Sequence, residues 1–276
     1  MIASDVIGIA GCGAMGLPMA ERLLAAGYAV WGFDVKKIDK KSSMTRRMVD
    51  DPNEFARKCD IVFSVVRDQQ QTLDLCFQKQ ALFSDDIGAD CPQIFIICST
   101  VSPNFVKKLD KILPKRMTLL DAPMSGAPYR AAEGTLTFMV GGDDGAVERL
   151  MPLFRCMGQE IHHLGPIGTG MTCKVVNNFV ALTGVVAVRK ALASARALGL
   201  DRRRLLDVMR TSSGATWYGD HLDDINWARE GYNSANTIGI LEKDLMSYLD
   251  AAPGGADDFE DALLNELRRL EPLDDF

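Results

Sequence analysis

Short, almost unbroken apolar runs alternate with amphipathic stretches through the first half of the chain. The runs at 6–10, 29–33, 61–66, 94–98, 117–120 and 137–140 have the length and β-branched content of strands. A strand with one wet face alternates polar and apolar residues, whereas a strand covered on both faces does not. The runs therefore predict a parallel sheet with helices on both sides. The intervals leave room for crossover helices; the clearest is 14–26, with Gly27 where a C-terminal cap belongs. Repeated βαβ units predict an α/β fold of Rossmann type, with a doubly wound, mostly parallel sheet.

Beyond about residue 164 the strand signal stops, and apolar positions recur at helical spacing between Gly, Ser and Pro. The expected division is an α/β domain over 1–164 and an all-helical domain over 165–276. Residues 170–198 lack proline and predict one helix of roughly 40 Å. So apolar a helix needs cover round most of its circumference, between the domains or against a second copy of the chain, so a homodimer or homotetramer is expected. Its most apolar run, 179–188, is about half the ~20 residues of a bilayer span and reads as a buried helix. Asp201 is placed to cap the next helix, and the acidic tail Glu271-Pro-Leu-Asp-Asp-Phe276 reads as frayed.

Composition narrows the class. At 276 residues with a net charge of -6, the chain can bury a large core and gives no reason to expect nucleic acid or an anionic membrane as partner. The seven cysteines (12, 59, 76, 91, 98, 156, 173) are odd in number and form no CxxC pair, which speaks against a disulfide framework or zinc site and for reduced thiols in the cytoplasm. Ser4 and Asp5 lead directly into a strand, unlike a signal peptide. His162, His163 and His221 would have to converge to hold a metal, and none is expected.

Two segments carry the chemistry. Gly11-Cys-Gly-Ala-Met-Gly16 follows a strand and opens a helix, with Asp34 closing the second strand. Gly11 permits the tight turn, Gly13 lets backbone approach a pyrophosphate, Gly16 allows close packing, and the helix N-terminus supplies amide donors. A glycine-rich turn that binds nothing is the competing reading. Asp34 would accept from ribose hydroxyls and repel a 2′-phosphate, favouring NAD; Lys36 and Lys37 soften the repulsion and keep NADP open. In the second segment, Gly170-Met-Thr-Cys-Lys-Val-Val-Asn-Asn178, Lys174 and Asn178 share a helical face while Asn177 turns about 100° away. Apolar neighbours would lower the lysine pKa toward a value useful for proton transfer; a structurally paired lysine is the alternative.

Residues 6–20, opening Val-Ile-Gly-Ile-Ala-Gly, resemble the signature of the β-hydroxyacid dehydrogenases, a group that includes 3-hydroxyisobutyrate dehydrogenase, tartronate semialdehyde reductase and L-threonate dehydrogenase. Four further blocks agree in order: Ser99-Thr-Val-Ser-Pro103, Asp121-Ala-Pro-Met-Ser-Gly126 continuing to Gly134-Thr-Leu136, Gly168 to Asn178, and Lys243-Asp-Leu245. The resemblance spans nearly the whole chain. It implies hydride transfer between a nicotinamide cofactor and a small β-hydroxy carboxylate, with Lys174 as general acid/base and Asn178 orienting it. It further implies that Ser125 and Gly126 hold the substrate carboxylate and that Lys243 reaches substrate or cofactor. The cofactor set it implies is Gly11, Gly13, Ala14, Met15, Gly16, Asp34, Val66, Thr100 and Lys243. Ala127 stands where the family usually has a second Gly, Arg67-Asp68 where many members have Leu-Pro, and the helical domain is short. An imine reductase shares the two-domain plan but generally lacks the lysine; a non-catalytic dinucleotide-binding protein would tend to have lost it.

Other residues have balanced readings. Trp217 and Tyr218 either line a pocket or anchor packing, Arg130 reads as a solvated arginine rather than a specificity determinant, and adjacent Asp223 and Asp224 read as solvated.

Overall fold

The computed structural model describes residues 4–83, 92–273 and 276; Cys91, Asp274 and Asp275 lie outside them. The chain divides into two compact units, Met1–Lys174 and Val175–Phe276.

In the first unit, β1 (Val6–Ala10), β2 (Ala29–Phe33), β3 (Ile61–Ser64), β4 (Ile94–Ile97) and β5 (Thr118–Asp121) form a parallel sheet in the order β2-β1-β3-β4-β5. The helices around it are α1 (Gly16–Ala25), α2 (Pro52–Lys58), α3 (Gln69–Phe77), α4 (Pro103–Ile112), α5 (Pro128–Glu133) and α6 (Asp144–Met157). Successive strand residues enter opposite cores. Ile7, Ile61, Phe63, Ile94 and Ile96 pack with Met19 and Leu23 of α1 and Phe154 of α6. Val62, Phe95 and Ile97 pack with Phe55 of α2 and Leu109 of α4. Both faces are dry, which is why the strands read as continuous apolar runs. Phe63 meets Phe154 edge-on at 5.9 Å, and truncating such a ring costs about 3–5 kcal/mol.

A second sheet, β6-β7-β8, pairs β6 (Met124–Ser125) antiparallel and β8 (Gly158–His163) parallel to β7 (Leu136–Val140). Reciprocal hydrogen bonds between Asp121 and Gly141, of 3.0 and 2.8 Å, join it to β5. Neither β6 nor β8 shows in the apolar pattern. Two residues are too few to show a period, and β8 is largely exposed, held by backbone pairing rather than an apolar face. The helix expected at 14–26 begins at Gly16 and ends at Ala25, with Gly27 in the left-handed region at φ +90°.

One helix, α7 (Thr169–Ala197), starts in the first unit and runs into the second, which adds α8 (Arg202–Arg210), α9 (Trp217–Asp220), α10 (Thr237–Leu249) and α11 (Asp258–Arg268). Asp201 caps α8 by accepting from the Arg204 amide at 2.9 Å. By length and composition α7 could cross a membrane, with mean hydropathy 1.5 over its most apolar window. Only 39% of that window is buried, and Val180 is 66% exposed, so the described residues do not supply all the cover expected for this helix.

The second unit has two small cores. One joins Val185, Val188 and Leu192 of α7 to Leu206 and Tyr218; the other joins Leu182 and Val186 to Ile238, Leu245 and Leu263. Arg189, almost fully buried, donates to the carbonyls of Ala228, Glu230 and Glu271. At its described residues the tail departs from the frayed expectation. The Leu273 amide donates to the Arg229 carbonyl at 2.9 Å, and the Phe276 ring lies against Arg203 and Arg202 at 4.3 and 5.1 Å. Its acidic composition hid two apolar anchors. Asp223 is also not simply solvated, because it pairs with Arg203 at 2.6 Å and Arg229 at 2.8 Å; the Arg203 hydrogen bond leads in holding its carboxyl below the ordinary 3.8.

Candidate active site

The glycine turn separates structural from ligand-facing positions. A Cβ on Gly11, whose φ is +98°, would stand 2.6 Å from the Val65 carbonyl oxygen, and one on Gly16 would stand 1.9 Å from the Gly11 oxygen. Both are glycine because backbone packs there. Nothing lies within 4 Å of where a Gly13 Cβ would be, so its missing side chain leaves open space. Gly13 and Ala14 are exposed, and Met15, half-buried at the N-cap of α1, makes no side-chain capping hydrogen bond. Free amides at a helix N-terminus beside that space fit a pyrophosphate.

Of the other predicted cofactor residues, Asp34, Val66 and Thr100 follow the carboxyl ends of β2, β3 and β4, where the order reverses on either side of β1, whereas Lys243 lies on α10 of the second unit. Asp34 follows β2, half-buried, with one carboxylate oxygen accepting the Lys36 amide at 2.8 Å. Val66 follows β3, and its carbonyl accepts the Ser99 hydroxyl at 2.7 Å, which ties this loop to the one carrying Thr100. Arg67 and Asp68 replace a proline start with a side-chain cap, since Asp68 accepts the Gln71 amide of α3 at 2.8 Å. Burial, with Asp34 adding, pushes the Cys12 thiol up to about 12.

Asp121 organises the next part, and its role was not read from the sequence. Its fully buried carboxylate accepts the amides of Gly168 at 2.6 Å and Met171 at 2.5 Å, doing for α7 what a capping side chain does elsewhere. Burial pushes its carboxyl above the ordinary value, while the two amides pull it down. Gly170 lies against the sheet junction; a Cβ there would meet the Met139 oxygen at 2.4 Å. The Val101 amide, beside Thr100, donates to Met171 Sδ at 3.4 Å. Lys174 follows Met171 by three residues and is buried, 8% exposed. The first turn of α7 is thus fixed to both β5 and the Thr100 loop. An aspartate closing the apolar run Leu119-Leu120 was the available signal.

Ser125 lies in β6 opposite Thr137, and Gly126 turns to φ +139°, where a Cβ would strike Leu136 at 2.8 Å. Ala127 has φ -90°, so the extra methyl brings no backbone strain. Arg130 donates to the Thr135 carbonyl and closes the α5 to β7 turn, a structural rather than solvated role. Tyr218 is a packing anchor: it is 2% exposed and its hydroxyl donates to the Ala228 carbonyl at 2.5 Å. Trp217 is 55% exposed and stacks on His221.

In the second unit, Asn178 and Lys243 converge on one residue. Asn178 Nδ2 donates to Asp244 Oδ2 at 2.7 Å, and Lys243 Nζ stands 2.7 Å from Asp244 Oδ1. Asp244 stood within the Lys243-Asp-Leu245 block with no role of its own, because the charged run Glu242-Lys243-Asp244 reads as a solvated face.

Residues 6–165 match the family model described as the NAD binding domain of 6-phosphogluconate dehydrogenase. Residues 168–256 match the one described as NAD-binding of NADP-dependent 3-hydroxyisobutyrate dehydrogenase. The chain is 36% identical to an NAD-dependent L-serine dehydrogenase of Pseudomonas aeruginosa over 82% of this chain and 73% of that one. The chain belongs to the β-hydroxyacid dehydrogenase family. A mitochondrial 3-hydroxyisobutyrate dehydrogenase of Drosophila melanogaster is 32% identical over 76% of this chain and 64% of its own. Among solved structures, the Mycobacterium tuberculosis 3-hydroxyisobutyrate dehydrogenase with L-serine superimposes with a TM-score of 0.77 at 25% identity, covering 97% of this chain and 96% of that one. Membership fixes the cofactor class of this β-hydroxyacid dehydrogenase as the nicotinamide dinucleotides.

Gly13→Ala separates the two kinds of glycine in this family's turn. Its melting temperature should stay within about 2 °C of wild type, because the methyl enters empty space, while the dinucleotide Kd rises about tenfold or more. Thermal unfolding and calorimetric titration check both, and an unchanged Kd would remove Gly13 from the site.

Proposed function

We propose that the chain catalyses reversible hydride transfer between NAD and a small 3-hydroxy acid, with Lys174 as the general acid/base. The observation that carries this reading is the burial of Lys174 just past a helix start that the Asp121 carboxylate fixes. Bound nicotinamide supplies the hydride acceptor or donor. Lys174 Nζ takes the proton of the substrate hydroxyl in oxidation and returns it in reduction, which offsets the alkoxide charge that grows as hydride leaves carbon. Asn178, one turn along the same helix, orients the reacting groups. Ser125 and the Gly126 amide hold the substrate carboxylate, and Lys243 contacts substrate or cofactor.

L-serine and 3-hydroxyisobutyrate, the compounds in the names of the relatives, are both 3-hydroxy acids and head the candidate substrates. Asp34 just past β2 supports NAD over NADP, because its carboxylate would repel the 2′-phosphate of NADP. The exposed valines of α7, Val176 and Val180, support association of copies of the chain as a homodimer or homotetramer. The thiol pattern supports a cytoplasmic setting.

A panel of 3-hydroxy acids, followed by reduced-cofactor absorbance, tests the activity. Wild type should turn over at least one with a lower KM for NAD than for NADP, and Lys174→Ala should slow turnover about 10²–10⁴-fold. Equal rates in the two proteins would sink the catalytic role of Lys174. Sedimentation equilibrium at micromolar concentration should give a dimer or larger species; a monomer would refute the association.

A further inference from the structure

Asp244 joins two side chains that the proposed mechanism uses separately. It lies on α10, 6% exposed, next to Lys243 in sequence. Its Oδ2 accepts Asn178 Nδ2 at 2.7 Å. Its Oδ1 takes no aligned hydrogen bond among the described residues, so its charge is met by the Lys243 ammonium 2.7 Å away. The two contacts use different oxygens of one carboxylate, and both lie within the second unit.

The chemistry of each contact sets a direction. A carboxylate only accepts, so the group facing it from Asn178 is the amide nitrogen, and the amide carbonyl faces the other way. That carbonyl has a weak neighbour, Asn177 Nδ2 at 3.4 Å. A free asparagine presents either end at similar cost. Held by Asp244, Asn178 presents an oxygen, an acceptor suited to an ammonium or a substrate hydroxyl and unsuited to a carboxylate. For Lys243, a buried counter-charge limits where a flexible four-carbon chain can place its ammonium.

We propose that Asp244 is a positioning residue for the reaction, fixing the amide of Asn178 carbonyl-outward and holding the ammonium of Lys243 with the same carboxylate. This rests on the reading of Asn178 and Lys243 as members of the site. Asp244 acts through the two side chains it holds. Asp244→Ala releases both partners; Asp244→Asn keeps an acceptor for the amide and removes the charge that holds the ammonium.

Steady-state kinetics of the full chain with NAD and its best 3-hydroxy acid provide the first arm. Asp244→Ala should lower kcat about tenfold or more. Asp244→Asn should recover most of kcat while KM for substrate or cofactor stays raised. Asn178→Ala combined with Asp244→Ala should lose little more than the worse single variant, as linked residues do. Wild-type kcat in Asp244→Ala, or losses in kcat that multiply in the double variant, would overturn the proposal. The second arm is the side-chain amide NMR signal of Asn178, assigned by its disappearance in Asn178→Ala. It should shift in Asp244→Asn even if no hydroxy acid is turned over or Asp244→Ala fails to fold, and an unmoved signal would overturn the proposal on its own. Absence of turnover in wild type with a shifted signal would count against the proposed function and leave the Asp244 contact standing.

Discussion

The fold and its candidate site depend on a buried carboxylate at the end of a strand. Asp121 pairs its backbone with Gly141, joining the parallel sheet to the smaller one, and spends its side chain on the amides of Gly168 and Met171. An unpaired carboxylate in that position would be costly, and two unpaired amides at a helix start would be costly too. Each problem solves the other, with hydrogen bonds to a charged group worth about 1.5–3 kcal/mol apiece. The helix that results carries Lys174 within its second turn. In the proposed mechanism Lys174 transfers a proton; such a group must be held to a fraction of an ångström, and an anchor on a sheet does this better than one on a loop.

Glycine makes that anchor possible. Gly141 and Gly170 face each other across the junction, where a Cβ on the first would meet Asp121 Oδ1 at 2.5 Å and on the second the Met139 oxygen at 2.4 Å. The same device appears at Gly11 and Gly16, where backbone lies on backbone. Gly13 differs in kind, since its space is empty. The division of the compact units inside α7, after Lys174 rather than at the loop before the helix, follows from the same anchoring: the first turns of α7 are bonded to the sheet and belong with it.

Much of this was legible in the chain. The dry parallel strands announced themselves by continuous apolar runs, and α7 by its length without proline. What stayed hidden had little side-chain pattern to show. The strand β8 is an exposed edge, Phe276 sits in an acidic tail, and Asp121 and Asp244 work through contacts 47 to 66 residues away. Lys174 and Asn178 were visible because a helix places residues four apart on one face, whereas the carboxylates that fix the helix start and the Asn178 amide arrive from other elements. Local periodicity reports local neighbours, and the supporting carboxylates are not local.

The most direct measurement is the single-turnover hydride-transfer rate of Asp121→Asn, with its melting temperature read on the same protein. The variant keeps size and shape but turns a donor toward one of two donors. The account predicts a rate lowered about tenfold or more and a melting temperature lowered by roughly 4–8 °C, because the start of α7 loses an acceptor. A variant with the wild-type rate and melting temperature would contradict it.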